Sequence, residues 1–95
     1  GVPEDDAESV RWYRLAAEQG LAVAQSYLGS MYANGEGVPE DLVYARMWFT
    51  LSAAQDNETA QGNKEIVEQR MTPEQIAEAQ RLSAEWLEAH PPGGN

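Results

Sequence analysis

The sequence LGSMYANGEGVPED, residues 28–41, decides the architecture of this 95-residue chain. Apolar residues at helical spacing lead into a loop with two glycines and a proline, and an acidic pair precedes the next helical segment. The last five residues of the stretch, GVPED at 37–41, repeat residues 1–5, so the pattern recurs at an offset of 37 − 1 = 36 residues. A period of this length predicts a stacked helical repeat rather than a globule closed around one core.

The composition limits the class of partner. The chain has 16 acidic and 6 basic residues, a formal charge of −10, and no cysteine. Nucleic acids and anionic membranes require a basic patch that this sequence lacks, so neither is predicted as a partner. No apolar run approaches the roughly 18–20 residues of a membrane span, and we predict no membrane insertion. The acidity indicates either a solvated surface or a preference for basic partners.

Helix breakers and caps divide the chain into five predicted helices, over 5–19, 21–33, 41–55, 58–71 and 72–89. Asp5, Asn57 and Thr72 are the predicted N-caps, and TPEQ at 72–75 has the full capping-box pattern. Gly20 is placed to adopt the left-handed conformation that ends the first helix.

Apolar stripes at i, i+3 and i+4 spacing predict the buried faces of the first two helices. The residues expected in these stripes are Val10, Trp12, Tyr13, Leu15, Ala16, Ala17, Ala24, Tyr27, Leu28, Met31 and Tyr32. Recurrence of the aromatics at helical spacing favours packing between helices, with a ligand-stacking cage as the alternative.

The third helix repeats the first, whereas the fourth has lost the sequence of the second. Residues 1–20 and 37–56 share nine identities, but in the fourth helix the apolar positions of the repeat have become Lys64, Glu65 and Glu68. The fifth helix repeats neither, and we interpret it as a terminal cap over the last apolar face.

The repeated residues resemble a known family. The pattern runs Ala24…Leu28-Gly29…Met31-Tyr32…Gly35-Glu36-Gly37-Val38…Asp41…Ala45…Trp48…Ala53-Ala54-Gln55 and resembles the Sel1-like repeat, a relative of the tetratricopeptide repeat. Residues 12–20 are similar to the end of a preceding unit, and 71–76 to the helix that often follows the last bacterial repeat. The resemblance implies a bacterial, all-α, right-handed superhelical α-solenoid of antiparallel helix pairs. Its members mostly act as adaptors or scaffolds, and this cysteine-free chain falls outside the branch with paired cysteines.

The repeat pattern divides the chain into four parts. Residues 1–20 are predicted as the second helix of a truncated repeat, 21–56 as a complete repeat, 57–89 as a degenerate half-repeat helix plus a C-terminal capping helix, and 90–95 as a disordered tail. Without a preceding helix, some of the surface of Val10, Tyr13 and Leu15 is expected to be exposed. Truncation upstream and self-association are the two explanations, and the compartment, cytoplasmic or exported, stays unassigned.

No residue pattern points to catalysis, a cofactor or a metal ion. The single histidine, His90, is predicted in the tail, which leaves no partner for a His-dependent triad or a two-histidine metal site. Pairs of carboxylates stand at helix starts, where the helix dipole accounts for them. Gly35-Glu36-Gly37 is predicted as a turn, because no strand or lysine accompanies it as in a phosphate loop.

Fold analogy predicts a binding face. In related solenoids the first helix of each unit lines the concave side, so positions outside the apolar stripe of the second and fourth helices are the candidates. They are mostly small or neutral, as a groove for a peptide requires. The predicted face comprises Val23, Ser26, Ser30, Ala33, Asn34, Thr59, Gly62, Ile66, Gln69 and Arg70.

Three functions follow in order of preference. The first is a non-enzymatic protein–protein interaction module that binds a protein or peptide segment on the concave face. The second is a structural unit that forms homo-oligomers through the uncapped first helix. The third is an accessory domain of a cell-envelope enzyme system, and the sequence leaves open whether the ligand is a peptide or a glycan.

Overall fold

A computed structural model describes residues 3–91. This part of the chain forms five helices and no strand: α1 (Pro3–Glu18), α2 (Ala22–Asn34), α3 (Leu42–Ala53), α4 (Glu58–Glu68) and α5 (Pro73–Ala89). The predicted five-helix, all-α architecture is confirmed. Of the tail predicted over 90–95, residues 92–95 lie outside the described part.

The helices begin and end mostly where local sequence signals stand. Asp41, Asn57 and Thr72 are N-caps, and each accepts a hydrogen bond from a backbone N–H three residues later. The capping box of Thr72 with Gln75 is confirmed. The predicted start at Asp5 is wrong, because α1 already begins at Pro3, and proline suits the first turn of a helix.

The turns after α1 and α3 use the same left-handed backbone at equivalent repeat positions. Gly20 has a φ of 91°, as its sequence position predicted, and Asp56, which lies 56 − 20 = 36 residues later, has a φ of 67°. An L-residue with a side chain adopts this region with strain, although Asp tolerates it better than most. The turn after α3 therefore keeps the left-handed conformation although Asp56 stands where the turn after α1 has glycine.

Helix α3 is the centre of the packing, since it contacts α2, α4 and α5. On one side, Leu28 of α2 and Leu51 of α3 belong to a cluster that α1 completes and that Trp86 of α5 covers. On the other side, Phe49 of α3 and Val67 of α4 form the second cluster. Trp48 joins the first cluster to α5 by an edge contact with Trp86, with ring centroids 6.1 Å apart.

A glycine allows α2 and α3 to approach closely. A Cβ built on Gly29 would lie 2.7 Å from Cε1 of Phe49, well inside the 3.5–4.0 Å of an ordinary carbon contact. The Phe49 ring is buried in the second cluster. The absence of a side chain at position 29 therefore sets the distance between these helices.

Two glutamines fix the turn between α1 and α2. Gln25 is fully buried, and its Nε2 donates to the carbonyl of Ala17 over 3.1 Å. The Nε2 of Gln55 donates both to the Gly20 carbonyl, at 2.8 Å, and to Oε1 of Gln25, at 3.1 Å. We call Gln25 and Gln55 the amide clasp. Because these bonds are directional, the clasp orients the α1–α2 turn on the end of α3.

Part of the predicted apolar stripe proves to be surface. Trp12, Leu15 and Tyr27 are exposed, although Tyr27 stacks on Tyr13 with ring centroids 5.1 Å apart. The expectation of burial was wrong for Trp12 and Tyr27, because an apolar helix face is buried only where another helix covers it, whereas Leu15 is exposed as the missing preceding helix led us to expect. Val10, for which partial exposure was expected, is buried instead in the first cluster.

Candidate interaction surface

A cavity of about 130 Å³ lies between α2 and α4, above α3. The residues that line it are Ser30, Ala33, Asn34, Phe49, Asn63, Ile66, Val67 and Arg70. We call this cavity and its rim the α2–α4 groove. It lies between the two helices that fold analogy assigned to the concave side.

The floor of the α2–α4 groove is apolar and well packed. Phe49 and Val67 form it, and both are more than nine-tenths buried. Ile66 stands on the wall and is 60% exposed, so much of its side chain is accessible to a ligand.

The polar residues of the groove are free to bind. The side chains of Ser30, Asn34 and Asn63 make no hydrogen bond with other residues in the described part of the chain. Each asparagine side chain offers two N–H donors and one carbonyl acceptor, and the Ser30 hydroxyl can donate or accept a hydrogen bond. These groups match the main-chain N–H and C=O of a ligand laid along the groove.

Two ion pairs hold α4 in place beside the groove. Arg46 of α3 is buried, and its Nε donates to Oε2 of Glu68 on α4 over 2.7 Å. Arg70, at the end of α4, donates to Oε2 of Glu40 in the α2–α3 loop over 2.9 Å. The exposed second pair adds little stability but places both a cation and a carboxylate at the groove end.

The structure brings half of the predicted face together. Ser30, Ala33, Asn34, Ile66 and Arg70 line the groove. The other predicted residues do not line it: Ser26 is buried, and Val23, Thr59, Gly62 and Gln69 are exposed elsewhere on α2, α4 or the turn that follows α4.

Sequence reasoning missed three lining residues, Phe49, Asn63 and Val67. Asn63 is the repeat counterpart of Tyr27, which we had assigned to the buried stripe, so the candidate face was drawn too narrow. A helical wheel that allowed for the exposure of Tyr27 would have included Asn63.

The described residues hold no cluster of three or more acidic, histidine or cysteine side chains that could bind a metal ion. His90, at the end of α5, is stacked on Trp86 with ring centroids 3.9 Å apart, and its Nδ1 lies 2.8 Å from the Trp86 carbonyl oxygen. On the same helix, the hydrogen bonds that Arg81 donates to Glu78 and Glu85, together with the charges of those carboxylates, raise the pKa of Arg81 above its usual value. None of the helices between residues 3 and 91 is both long and apolar enough to cross a membrane.

A second apolar surface lies on α1. Trp12 and Leu15 are 66% and 58% exposed, whereas their repeat counterparts Trp48 and Leu51 are 5% and 2% exposed. In the second unit, Ala24 and Leu28 of α2 belong to the cluster that buries these positions. The exposed surface of α1 is therefore one that a helix covers elsewhere in the same molecule.

Short helices at a 36-residue period, packed side by side around shared apolar clusters, define the class of protein as an α-solenoid of helical repeats. The family model described as the Sel1 repeat matches residues 1–21 and 22–57. The chain belongs to the Sel1 repeat family, which confirms the resemblance inferred from the sequence. Repeats of this kind generally mediate protein–protein interactions and are typically non-catalytic.

Similar proteins come from bacteria and fungi. The crystal structure of c5321, a protective antigen of uropathogenic Escherichia coli with an SLR fold, superposes with a TM-score of 0.87 at 37% identity, over 94% of this chain and 19% of that one. The chitin synthase regulator SKT5 of Malassezia restricta is 44% identical over 50% of this chain and 3% of its own length. SKT5 of Saccharomyces cerevisiae is 33% identical over 60% of this chain and 8% of its own. The chain thus spans a small part of each of these proteins.

Proposed function

We propose that this chain is a non-enzymatic interaction module that binds a protein or peptide segment in the α2–α4 groove. The observation that carries the proposal is the composition of the groove, an apolar floor beneath polar side chains with no hydrogen-bond partner in the described chain. Ligand grooves have this combination, since apolar burial supplies affinity and a few polar groups supply orientation.

The packing around the groove supports the same function. The Arg46–Glu68 pair joins α3 to α4, and Gly29 lets α2 pack closely against Phe49 of α3, so the groove is already formed in the unbound chain. A preformed site loses little conformational entropy on binding. A peptide can therefore bind in the α2–α4 groove without rearrangement of the helices.

The relatives favour a role in controlling another protein. Two of them are named as chitin synthase regulators. An accessory role beside an enzyme of the cell envelope, our third function from sequence, is of the same general kind. This chain spans only a small share of those proteins, so regulation of a chitin synthase is not part of the proposal.

The test is selection of peptides from a random displayed library on the folded chain, followed by affinity measurement on two matched variants. Ala33→Trp fills the groove, whereas Ala84→Trp places the same ring on an exposed position of α5. We expect selected peptides to lose at least tenfold in affinity for Ala33→Trp, equivalent to about 1.4 kcal/mol, and to keep it for Ala84→Trp. Peptides that bind both variants equally would refute the groove as the binding surface.

The surface of α1 supports a second candidate function, self-association. Burying a side chain the size of Trp12 or Leu15 stabilises an assembly by roughly 1.5–3 kcal/mol each. Sedimentation equilibrium across a wide concentration range measures the effect, with Trp12→Glu as the variant that abolishes it and Gln80→Glu, exposed on α5, as the control. A constant monomer mass up to millimolar concentration would rule this function out.

A further inference from the structure

The partner chemistry of the α2–α4 groove follows from its size, its polar atoms and its charge. The inference rests on the proposed function and deepens it, because it names the kind of segment that the groove accepts.

The size of the cavity selects one aliphatic side chain. In other proteins an apolar cavity of about 150 Å³ holds a molecule as large as benzene. The groove cavity of about 130 Å³ accommodates a branched aliphatic group of leucine size and is too small for an indole ring. Ile66 on the wall and Phe49 on the floor would contact this group directly.

The polar side chains of the groove favour a ligand whose main chain is extended beside that aliphatic group. Asn34 lies on α2 and Asn63 on α4, so the two amides stand on opposite walls of the groove. A main chain passing between them can donate to one amide and accept from the other. Ser30 adds a hydroxyl on the α2 side.

The charges around the groove and over the whole chain favour a basic ligand segment over an acidic one. Among the described residues that line the groove, the one cation is Arg70, and Glu40 already neutralises it over 2.9 Å. Glu40 is about half exposed, and its Oε1 accepts no hydrogen bond from another described residue. A lysine or arginine of the ligand can approach this oxygen, whereas an acidic ligand would meet a chain of formal charge −10.

We infer that the α2–α4 groove binds an extended basic peptide segment, with one aliphatic side chain of leucine size in the cavity and a cationic side chain beside Glu40. Acidic peptides and peptides that dock through an aromatic residue are the alternatives that the experiment separates.

The experiment uses fluorescein-labelled nine-residue peptides of glycine and serine with a central leucine and three lysines. Matched peptides replace the leucine by alanine or tryptophan, or the three lysines by glutamates. Fluorescence anisotropy measures Kd at 20 mM and at 300 mM salt. We expect the leucine–lysine peptide to bind at least tenfold more tightly than the alanine peptide, because loss of about two buried methylenes already accounts for that factor and alanine lacks three side-chain carbons of leucine. The tryptophan peptide should also bind more weakly, because the indole ring does not fit a cavity of about 130 Å³. Its affinity should fall at high salt, where exposed charges are screened.

Variants of the chain locate the binding. Glu40→Gln should weaken the lysine peptide several-fold, whereas Glu88→Gln, an exposed carboxylate on α5, should leave it unchanged. Ile66→Ala should reduce the preference for leucine over alanine, with Leu87→Ala, an exposed leucine on α5, as the control.

Each result bears on the inference. Tighter binding of the glutamate peptide, with sensitivity to Ala33→Trp, would overturn the basic chemistry and leave the groove as a peptide site. Equal affinities for the leucine and alanine peptides would mean general charge attraction and would overturn the anchor. Absence of binding by every peptide at millimolar concentration would overturn the inference, while peptides selected from the random library would still decide the proposed function independently.

Discussion

The contact between Gly29 and Phe49 gives the sharpest test of the packing. In Gly29→Ala the new methyl would lie 2.7 Å from Cε1 and 2.8 Å from Cδ1 of Phe49. The ring is 2% exposed and cannot swing into solvent, so either the ring or the two helices must shift. Overpacking of this kind costs about 1–3 kcal/mol. The better helix propensity of alanine contributes about 1 kcal/mol in the opposite direction, so we expect a net effect between about zero and a loss of about 2 kcal/mol.

Gly62→Ala is the matched control for this prediction. Gly62 lies within α4, and a Cβ built there meets no atom within 4 Å. Only the propensity gain applies, so stability should rise by about 0.5–1 kcal/mol. Urea denaturation followed by circular dichroism at 222 nm measures both variants. In thermal denaturation, each kcal/mol corresponds to about 4–8 °C for a domain of this size.

A double variant distinguishes steric overlap from other effects. Phe49→Leu removes the edge of the ring that the methyl would strike, so Gly29→Ala should cost less in the Phe49→Leu background than in the original chain. If Gly29→Ala raises stability as much as Gly62→Ala does, the close approach of α2 and α3 is not what requires glycine, and the reasoning fails.

Three further predictions concern polar groups and backbone strain. Arg46→Ala should destabilise the fold by about 3 kcal/mol in urea denaturation, because it leaves Glu68 partly buried without its partner. Glu68→Gln keeps a hydrogen-bond acceptor but removes the charge opposite the buried Arg46, so it should also be clearly destabilising, and a negligible loss would contradict a role for charge. Gln25→Leu should cost about 1–3 kcal/mol, since it removes two hydrogen bonds, the one that Gln25 donates to the Ala17 carbonyl and the one that it accepts from Gln55, and amide hydrogen exchange should show faster exchange in the α1–α2 turn. Asp56→Gly should raise stability by about 0.5–1 kcal/mol by relieving a φ of 67°, and an unchanged or lower urea midpoint would contradict this.

Local signals predicted the elements of the fold well. The caps Asp41, Asn57 and Thr72 act on backbone groups within three residues, so the sequence contains everything that determines them. The left-handed turn at Gly20 is equally local. The repeat period then specified how the helices follow one another, because equivalent sequences pack in equivalent ways.

Burial and contacts between distant residues could not be predicted in the same way. Trp12 and Trp48 are identical residues at equivalent positions, yet one is exposed and the other buried, because burial depends on the neighbouring helix. The bond between Gln25 and Gln55 joins residues 30 positions apart, and nothing in the local pattern indicates it. The identities of Gln19 with Gln55 and of Gln25 with Gln61 at the repeat spacing were the available signals.

For the candidate groove, fold analogy indicated the two helices, α2 and α4, but it did not identify all of the residues that line the cavity. Five of the ten candidates line the cavity, and Asn63 was missed because its repeat counterpart Tyr27 had been assigned to the buried stripe. Where the repeat pattern degenerates, the rotation of a helix about its axis is set by contacts such as Arg46–Glu68, which the repeat alignment does not contain.

The amide clasp has a consequence for the geometry of any longer array built from such units. Apolar clusters tolerate small sliding and rotation between neighbours, whereas hydrogen bonds from Gln55 to Gly20 and Gln25 tolerate little. A bond of this kind, made once per 36 residues, would fix the angle through which each unit turns relative to the one before it. The curvature of the superhelix, and with it the width of the surface offered to a partner, would then depend on one glutamine pair per repeat.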